Sequence, residues 1–302
     1  MMPAEYFTYT GRDGDIAPHD VTHVRVHKSV NVIPANAFNG YPNLEELDCD
    51  VGVEKVEAWA LSQCPSLRRV IMPGVRVVEE HHALYECEAL TVVECGKLKI
   101  IGHAAFKRCK SLRSINLPSA KVVEALAFIF CYALTEVKFG DQLERIENLA
   151  FKGCRSLERI TLPLKDGLIT RDDIFQGCKN LEHVDPVGGI HETVAALQLE
   201  EWRNDMDDEI DSINQILPNA PAGTDSYMGE KAMVIRTWIS SVLRKIIHYK
   251  AQHHRLLDEA ATTLELASLP KDIVIESVLP FLELPSYTFE VGRVRRRRRD
   301  VT

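Results

Sequence analysis

Three groups of side chains in this 302-residue chain have residue types that chemistry would need. His191-Glu192 opens like the zinc-hydrolase pattern H-E-x-x-H, in which two imidazoles one helical turn apart hold the metal and the carboxylate acts as base. Position 195 is Ala195, so the second imidazole is missing. His248, His253 and His254 supply three more rings, but their spacing does not bring them onto one helical face. The acids Asp205, Asp207, Asp208, Glu209 and Asp211 lack the glycine and the alternation of a calcium loop, and they read as the wet face of a helix. No G-x-S-x-G, G-x-x-x-x-G-K or G-x-G-x-x-G occurs. No catalytic, cofactor-binding or metal-ligating set emerges. The expectation is a non-enzymatic protein with no cofactor and no metal.

The eight cysteines are the next chemically active residues. Six of them, Cys64, Cys87, Cys109, Cys131, Cys154 and Cys178, recur at intervals of about two dozen residues, and Tyr41 stands one interval earlier. Each follows by three positions a Phe or Leu: Phe38, Leu61, Leu84, Phe106, Phe128, Phe151 and Phe175. Each precedes by three a leucine: Leu44, Leu67, Leu90, Leu112, Leu134, Leu157 and Leu181. Cys49 and Cys95 fall instead where Leu117 and Leu162 stand in other copies. Such placement is that of a small buried hydrophobe, and it predicts reduced thiols in the core rather than disulfides or a metal site.

A fixed period of this size signals a solenoid. Each unit contains L-x-x-I-x-L, often closed by proline (Pro73, Pro118, Pro163), and then V-x-x-I leading into Ala-Phe or Ala-Leu. Proline cannot continue a ladder and belongs at a strand end. Two short extended pieces per coil, joined by turns, cannot bury a core alone, so stability must come from stacking. His81-His82 lies at a turn of the third coil and reads as exposed surface.

The pattern L-x-x-I-x-L-P … V-x-x-I-x-x-x-A-F-x-x-C, in seven copies over residues 21 to about 187, resembles the BspA-type leucine-rich repeats. More narrowly, DVTHVRVHKSV, GGIHETVAALQLEEWRNDMDDEI and HYKAQHHRLLDEA resemble leucine-rich repeat proteins abundant in diatoms, nearly end to end. The resemblance implies a fold and an intracellular setting, and no reaction. In those proteins the second long helix often continues into a Trp-Lys-bearing extension. Here it stops at Leu269-Pro270 and an Arg-rich tail follows.

The chain therefore divides into a polar lead-in (1–20), a leucine-rich repeat solenoid (21–187), a helical hairpin (188–269), and a short apolar piece with an Arg-rich tail (270–302). Val24, Val26 and Val30 alternate with polar residues and predict a capping strand within 21–34. The last coil is degraded, because TLPLKDGLITRDDIF breaks the V-x-x-I piece. After Gly188-Gly189 the period becomes helical. Leu199, Trp202, Met206, Ile210, Ile213 and Leu217 trace one stripe, and residues 218–229 form a loop. A second helix over about 230–267 carries a heptad seam: Ile235, Ile239, Val242, Ile246, Tyr249, His253, Leu256, Ala260, Thr263 and Ala267. The fold class expected is α+β: about seven stacked repeats, then an antiparallel helical hairpin of coiled-coil type. The longer second helix leaves an end to be covered by the solenoid, the tail or a second copy.

Hydrophobic content of 45% and charge of 26% describe an ordinary globular chain, and a net charge of −8 argues against nucleic-acid binding by the chain as a whole. No apolar run is long enough to cross a membrane, and the first residues lack the features of a secretory leader. The candidate binding surface is the outward side of L-x-x-I-x-L. It comprises Glu46, Asp48, Arg69, Ile71, Val92, Glu94, Ser114, Asn116, Glu136, Lys138, Arg159, Thr161, His183 and Asp185. These predict a protein partner and a scaffold role in the cytoplasm. The alternative is a nuclear or nucleic-acid-associated factor acting through Arg293, Arg295, Arg296, Arg297, Arg298 and Arg299.

Overall fold

The computed structural model describes residues 6–12, 15–79, 81–188, 200–224 and 229–266, without the side chains of 257 and 260–266. The order is β1 (Phe7–Tyr9), β2 (His23–Val26), β3 (Val32–Ile33), β4 (Glu46–Cys49), β5 (Lys55–Val56), β6 (Arg69–Ile71), β7 (Val77–Val78) and β8 (Val92–Glu94). There follow β9 (Ile100–Ile101), β10 (Ser114–Leu117), β11 (Val122–Val123), β12 (Glu136–Phe139), β13 (Arg145–Ile146), β14 (Arg159–Leu162) and β15 (His183–Pro186). Two helices close the described chain, α1 (Glu200–Ile216) and α2 (Lys231–Leu266).

All strand pairs are parallel and join a coil to the next. The longer strands form a front face in two pieces, β1-β2-β4-β6-β8 and β10-β12-β14-β15. The two-residue strands form one continuous back sheet from β3 to β13, and a single bridge from Ile146 to Ile169 continues it into the degraded last coil. A third ladder runs along the Ala-Phe turns. Phe106 N–H donates to the Ala127 carbonyl, Phe128 to Ala150 and Phe151 to Ile174, at 2.8 to 3.0 Å. In this ladder each coil donates to the one after it.

The Ala-Phe turns take left-handed backbone at two positions in each of the first six coils and at one in the seventh. Two residues before the Phe or Leu stand Asn36, Trp59, His82, Ala104, Leu126 and Leu149, and two after it stand Gly40, Gln63, Glu86, Arg108, Phe130, Gly153 and Gly177, all at positive φ. Each non-glycine there costs about 1–2 kcal/mol, offset by the ladder the turn completes. Gly153 is required twice over, because a Cβ would also lie 2.6 Å from the Phe130 ring.

The core is a set of columns. Phe106, Phe128 and Phe151 stack with centroids 5.2 Å apart and planes 1° from parallel, and Phe175 continues the stack at 5.7 Å. The cysteine column is fully buried, and its thiols have a partner that packing alone would not predict. Each Sγ–H donates to the carbonyl of the Phe or Leu one coil back: Cys64 to Phe38, Cys87 to Leu61, Cys109 to Leu84, Cys131 to Phe106, Cys154 to Phe128 and Cys178 to Phe151, at 3.0 to 3.3 Å. All eight cysteines are free.

The N-terminal end corrects one expectation. Residues 21–34 are not a cap but a complete first coil with both its strands, and the lead-in covers it. β1 pairs with β2 in parallel. Tyr9 packs edge-on to Phe38. The Tyr41 phenol, standing where other coils have cysteine, donates to the Ala17 carbonyl at 2.9 Å. With no earlier coil to receive a thiol, a longer side chain reaches the lead-in instead.

The chain divides into two compact units. The first holds residues 1–163, 167–187 and 213–237, and the second holds 164–166, 188–212 and the residues from 238 on. In the first unit the last coil is capped by the loop between the helices. Gly177 N–H donates to the Ala222 carbonyl at 2.7 Å, and Asn214 Oδ1 accepts from Val184 N–H at 2.9 Å. Arg236 pairs with Asp172. Lys231, only 1% exposed, donates to the Leu181 carbonyl at 2.5 Å and to the Leu217 carbonyl at 2.9 Å.

In the second unit the helices run antiparallel: Trp202 stacks on Tyr249, Lys245 pairs with Asp205 and Glu209, and the Trp238 indole N–H donates to the Glu209 carbonyl. Asp205 and Glu209 are thus between the helices and not on the wet face, because Lys245 and Tyr249 compensate them there. His253 is buried under the edge of Trp202. Leu256, the next seam position, is 47% exposed, since it lies past the level of Trp202 near the described start of α1. Leu199 and Ala267 lie outside the described residues.

Candidate protein-interaction face

Alternation along each front strand decides which side chains face outward. Leu47, Val70, Val137 and Ile160 turn in and are fully buried, so their neighbours turn out. The parallel register aligns them in rows. Glu46, Arg69 and Val92 form one row of the N-terminal piece, and Asp48, Ile71 and Glu94 form the other. In the C-terminal piece Ser114, Glu136, Arg159 and His183 align, as do Asn116, Lys138, Thr161 and Asp185. The predicted face residues therefore all lie on one side of the stack. His23 and Arg25 extend the same rows into the first coil, with Thr8 beyond Arg25 on β1. The alternation in VTHVRV carried that signal.

The face is bridged by charge. Arg69 reaches Glu94 at 2.9 Å and Glu46 at 3.9 Å, Arg25 reaches Asp48 at 3.4 Å, and Lys138 reaches Glu136 at 3.1 Å. One Arg159 nitrogen contacts both Asp185 oxygens at 2.9 and 2.7 Å. Exposed pairs of this kind contribute about 0–1 kcal/mol each; their larger effect is to leave little unbalanced charge. At the N-terminal edge the Arg25 guanidinium lies 4.5 Å from the Tyr6 ring centre, and burial, then the Glu46 carboxylate, raises the Tyr6 phenol above its usual pKa.

Between the charged ends lie Ile71, Val92, Ser114 and Asn116, with Val92 39% exposed, and the one charge among them, Glu94, is paired with Arg69. The front ladder is interrupted there, since β8 and β10 are adjacent but do not pair. In other coils the two N–H groups that open the front strand both bond one carbonyl of the preceding coil, as Thr135 and Glu136 do to Arg113. Arg113 and Ser114 make no such bond to Thr91 among the described residues.

A second cluster lies on the turn side. Trp59 stacks on His82 at 4.5 Å and 12°, and Tyr85 meets both edge-on. His82 is therefore half-buried, not exposed as expected, and its Nδ1 is buried without a hydrogen-bond partner among the described residues. Burial first, then Lys107 and the neighbouring histidines, lowers its pKa. The cause is one extra residue in the third coil, where six steps separate Val78 from Leu84 and five separate Val56 from Leu61. His81 and His82 both take positive φ to absorb it. Counting that interval would have located the irregularity. Among the described residues no group of three His, Cys, Asp or Glu side chains is placed to hold a metal ion. The Arg-rich run at 293–299 lies outside the described residues.

The family model for the BspA type leucine-rich repeat region matches in six copies over residues 18–124 and 99–194. The chain belongs to the BspA-type leucine-rich repeat family. The BspA-type assignment covers more than half of the sequence. No curated protein matches the chain. Among solved structures it is similar to a Treponema pallidum leucine-rich repeat protein, at 23% identity over 53% of this chain and 67% of that one, with a TM-score of 0.37. A leucine-rich repeat protein from Bacteroides ovatus is 18% identical over 55% of each chain, with a TM-score of 0.34. One from Eubacterium ventriosum is 20% identical over 53% of this chain and 40% of its own, with a TM-score of 0.37. The chain thus spans about half or less of the last two proteins.

Proposed function

We propose that the protein is a non-enzymatic interaction scaffold that binds a protein partner through the front face of its solenoid. The observation that carries this reading is the alignment of outward side chains across the front strands into two rows, neutralised by ion pairs at the ends and carrying at the centre a single charge, Glu94, that Arg69 balances. Specific interfaces deplete charge at the core and keep it at the rim, which is the layout of this face. Extended solenoid faces suit such contacts. An intracellular setting is part of the proposal, supported by eight free, buried thiols.

The test is a photo-crosslinking residue placed at Asn116, compared with one at Lys99 beside the back sheet, in cells expressing the full chain. A discrete adduct at Asn116 that disappears with Val92→Glu, while Lys99 gives none, supports the front face. Equal labelling from both positions refutes it.

A further inference from the structure

The third side of the solenoid carries a charge pattern that the front face does not explain. The segments running from each Ala-Phe turn to the next front strand in coils four to seven (107–113, 129–135, 152–158 and 176–182) contain seven Lys or Arg and two Glu. The matching segments of coils one to three (39–45, 62–68 and 85–91) contain one Arg and three Glu. A chain with net charge −8 thus concentrates cations on one side of half its solenoid. At the border Arg108 pairs with Glu86 at 2.7 Å and Lys110 with Glu88 at 2.6 Å. Lys107, Arg113, Lys152, Arg155 and Lys179 have no carboxylate partner among the described residues.

Aromatic rings are set among these cations. Phe130 and Tyr132 lie 5.9 Å apart in the fifth coil, and Tyr132 is 36% exposed. The Phe130 ring takes the space that a Cβ on Gly153 would need, so its position is held by the next coil. Arg155 stands 5.2 Å from the Tyr132 ring centre, and Lys107 stands 5.3 Å from that of Tyr85. Adjacent coils are about 5 Å apart, so the band extends about 15 Å from the fourth coil to the seventh.

We infer that this band binds single-stranded nucleic acid, with phosphates on the unpaired cations and bases against Tyr132 and Phe130. An acidic peptide would satisfy the cations but give the rings no partner. A duplex would bring phosphates but keep its bases stacked on one another. A single strand uses both features, because every base has a face to stack and every linkage has a charge.

The test is fluorescence anisotropy of labelled oligo-U and oligo-dT, each about fifteen nucleotides long, with the full-length chain. Five phosphate contacts to a single strand give a salt slope near 3.5, or about a hundredfold weakening from about 50 to about 200 mM salt. Joint Lys152→Glu, Arg155→Glu and Lys179→Glu should abolish binding, and the corresponding Gln changes should lower the slope to about 1.4. Tyr132→Ala should weaken binding about five- to a hundredfold at unchanged slope. A preference for either oligonucleotide supports the inference, and oligo-dU then shows whether the sugar or the thymine methyl group is read. Unfolding midpoints of the variants check that each is folded. The inference is overturned if neither oligonucleotide binds, or if charge reversal or Tyr132→Ala leaves affinity unchanged. Loss of all binding on replacing the six arginines at 293–299 by serine would overturn it in favour of the tail. Equal affinity for polyglutamate would overturn it in favour of an acidic peptide.

Discussion

A buried thiol that donates to a carbonyl is neither a nucleophile nor a redox centre. Burial raises the thiol pKa in five of the six cysteines of the column, pushing Cys131 and Cys178 up to about 12, and Cys95 beside the front strands likewise, whereas the neighbouring Cys87 thiol lowers that of Cys64. All eight thiols are buried, so none should react with an alkylating reagent until the chain unfolds. Mass spectrometry after iodoacetamide treatment checks this, and a single modified cysteine in the native chain would contradict it. Gly153→Ala should cost about 1–3 kcal/mol, from positive φ plus the Phe130 ring, read as a shift in urea midpoint. The cysteine position was legible in the sequence because it recurs. Its hydrogen bond was not, since only the ladder geometry shows that the carbonyl one coil back lies within reach. His82 was misread because the repeat was aligned on its leucines, which conceals one extra residue between them.

Among the elements, the helices were the most legible, because a stripe at helical period reports burial directly. Trp202, Met206, Ile210, Ile213 and Leu217 are all buried as that stripe requires. What periodicity could not assign was polar residues between helices. Asp205 is held below the ordinary carboxylate range by the Tyr249 phenol and then by Lys245. A depressed folded pKa contributes stability above the unfolded value of about 3.9 and loses it as pH falls through the folded value. Asp205→Asn should therefore lower the midpoint for unfolding of the hairpin near about pH 6, and the gap to wild type should narrow near about pH 2.5. A constant gap would mean that the carboxylate contributes nothing by its charge. Lys231 is the opposite case. Burial lowers its pKa, so the native state gains stability as pH rises through the folded value toward the unfolded one. Its ammonium nevertheless serves two buried carbonyls. Lys231→Ala leaves both without that donor and should destabilise the protein by about 2–4 kcal/mol, measured by denaturant titration.

Across the whole molecule, seven coils were countable from the sequence, since each spells the same apolar positions. The interruption of the front ladder was not, because β8 and β10 carry the same pattern as strands that do pair. Hydrogen exchange should reveal it: the amides of Arg113 and Ser114 should exchange faster than those of Thr135 and Glu136, which occupy the same place one coil later. Equal protection would mean that the interruption closes in solution. The continuous back sheet and the Phe stack hold the two pieces together, so Phe128→Ala should cost about 3–5 kcal/mol. Phe128→Leu should cost less, because Leu61 and Leu84 already fill that column.

The thiol column has a direction. Each of its six cysteines reaches backwards to the Phe or Leu carbonyl of the coil before, and only Tyr41 and the loop around Ala222 are made differently. The interior units are therefore interchangeable parts between two dedicated end pieces. A duplication of residues 107–128, or its deletion, should give a longer or shorter protein without redesign of either terminus. Gene-level slippage could then tune the reach of the molecule in increments of about 5 Å.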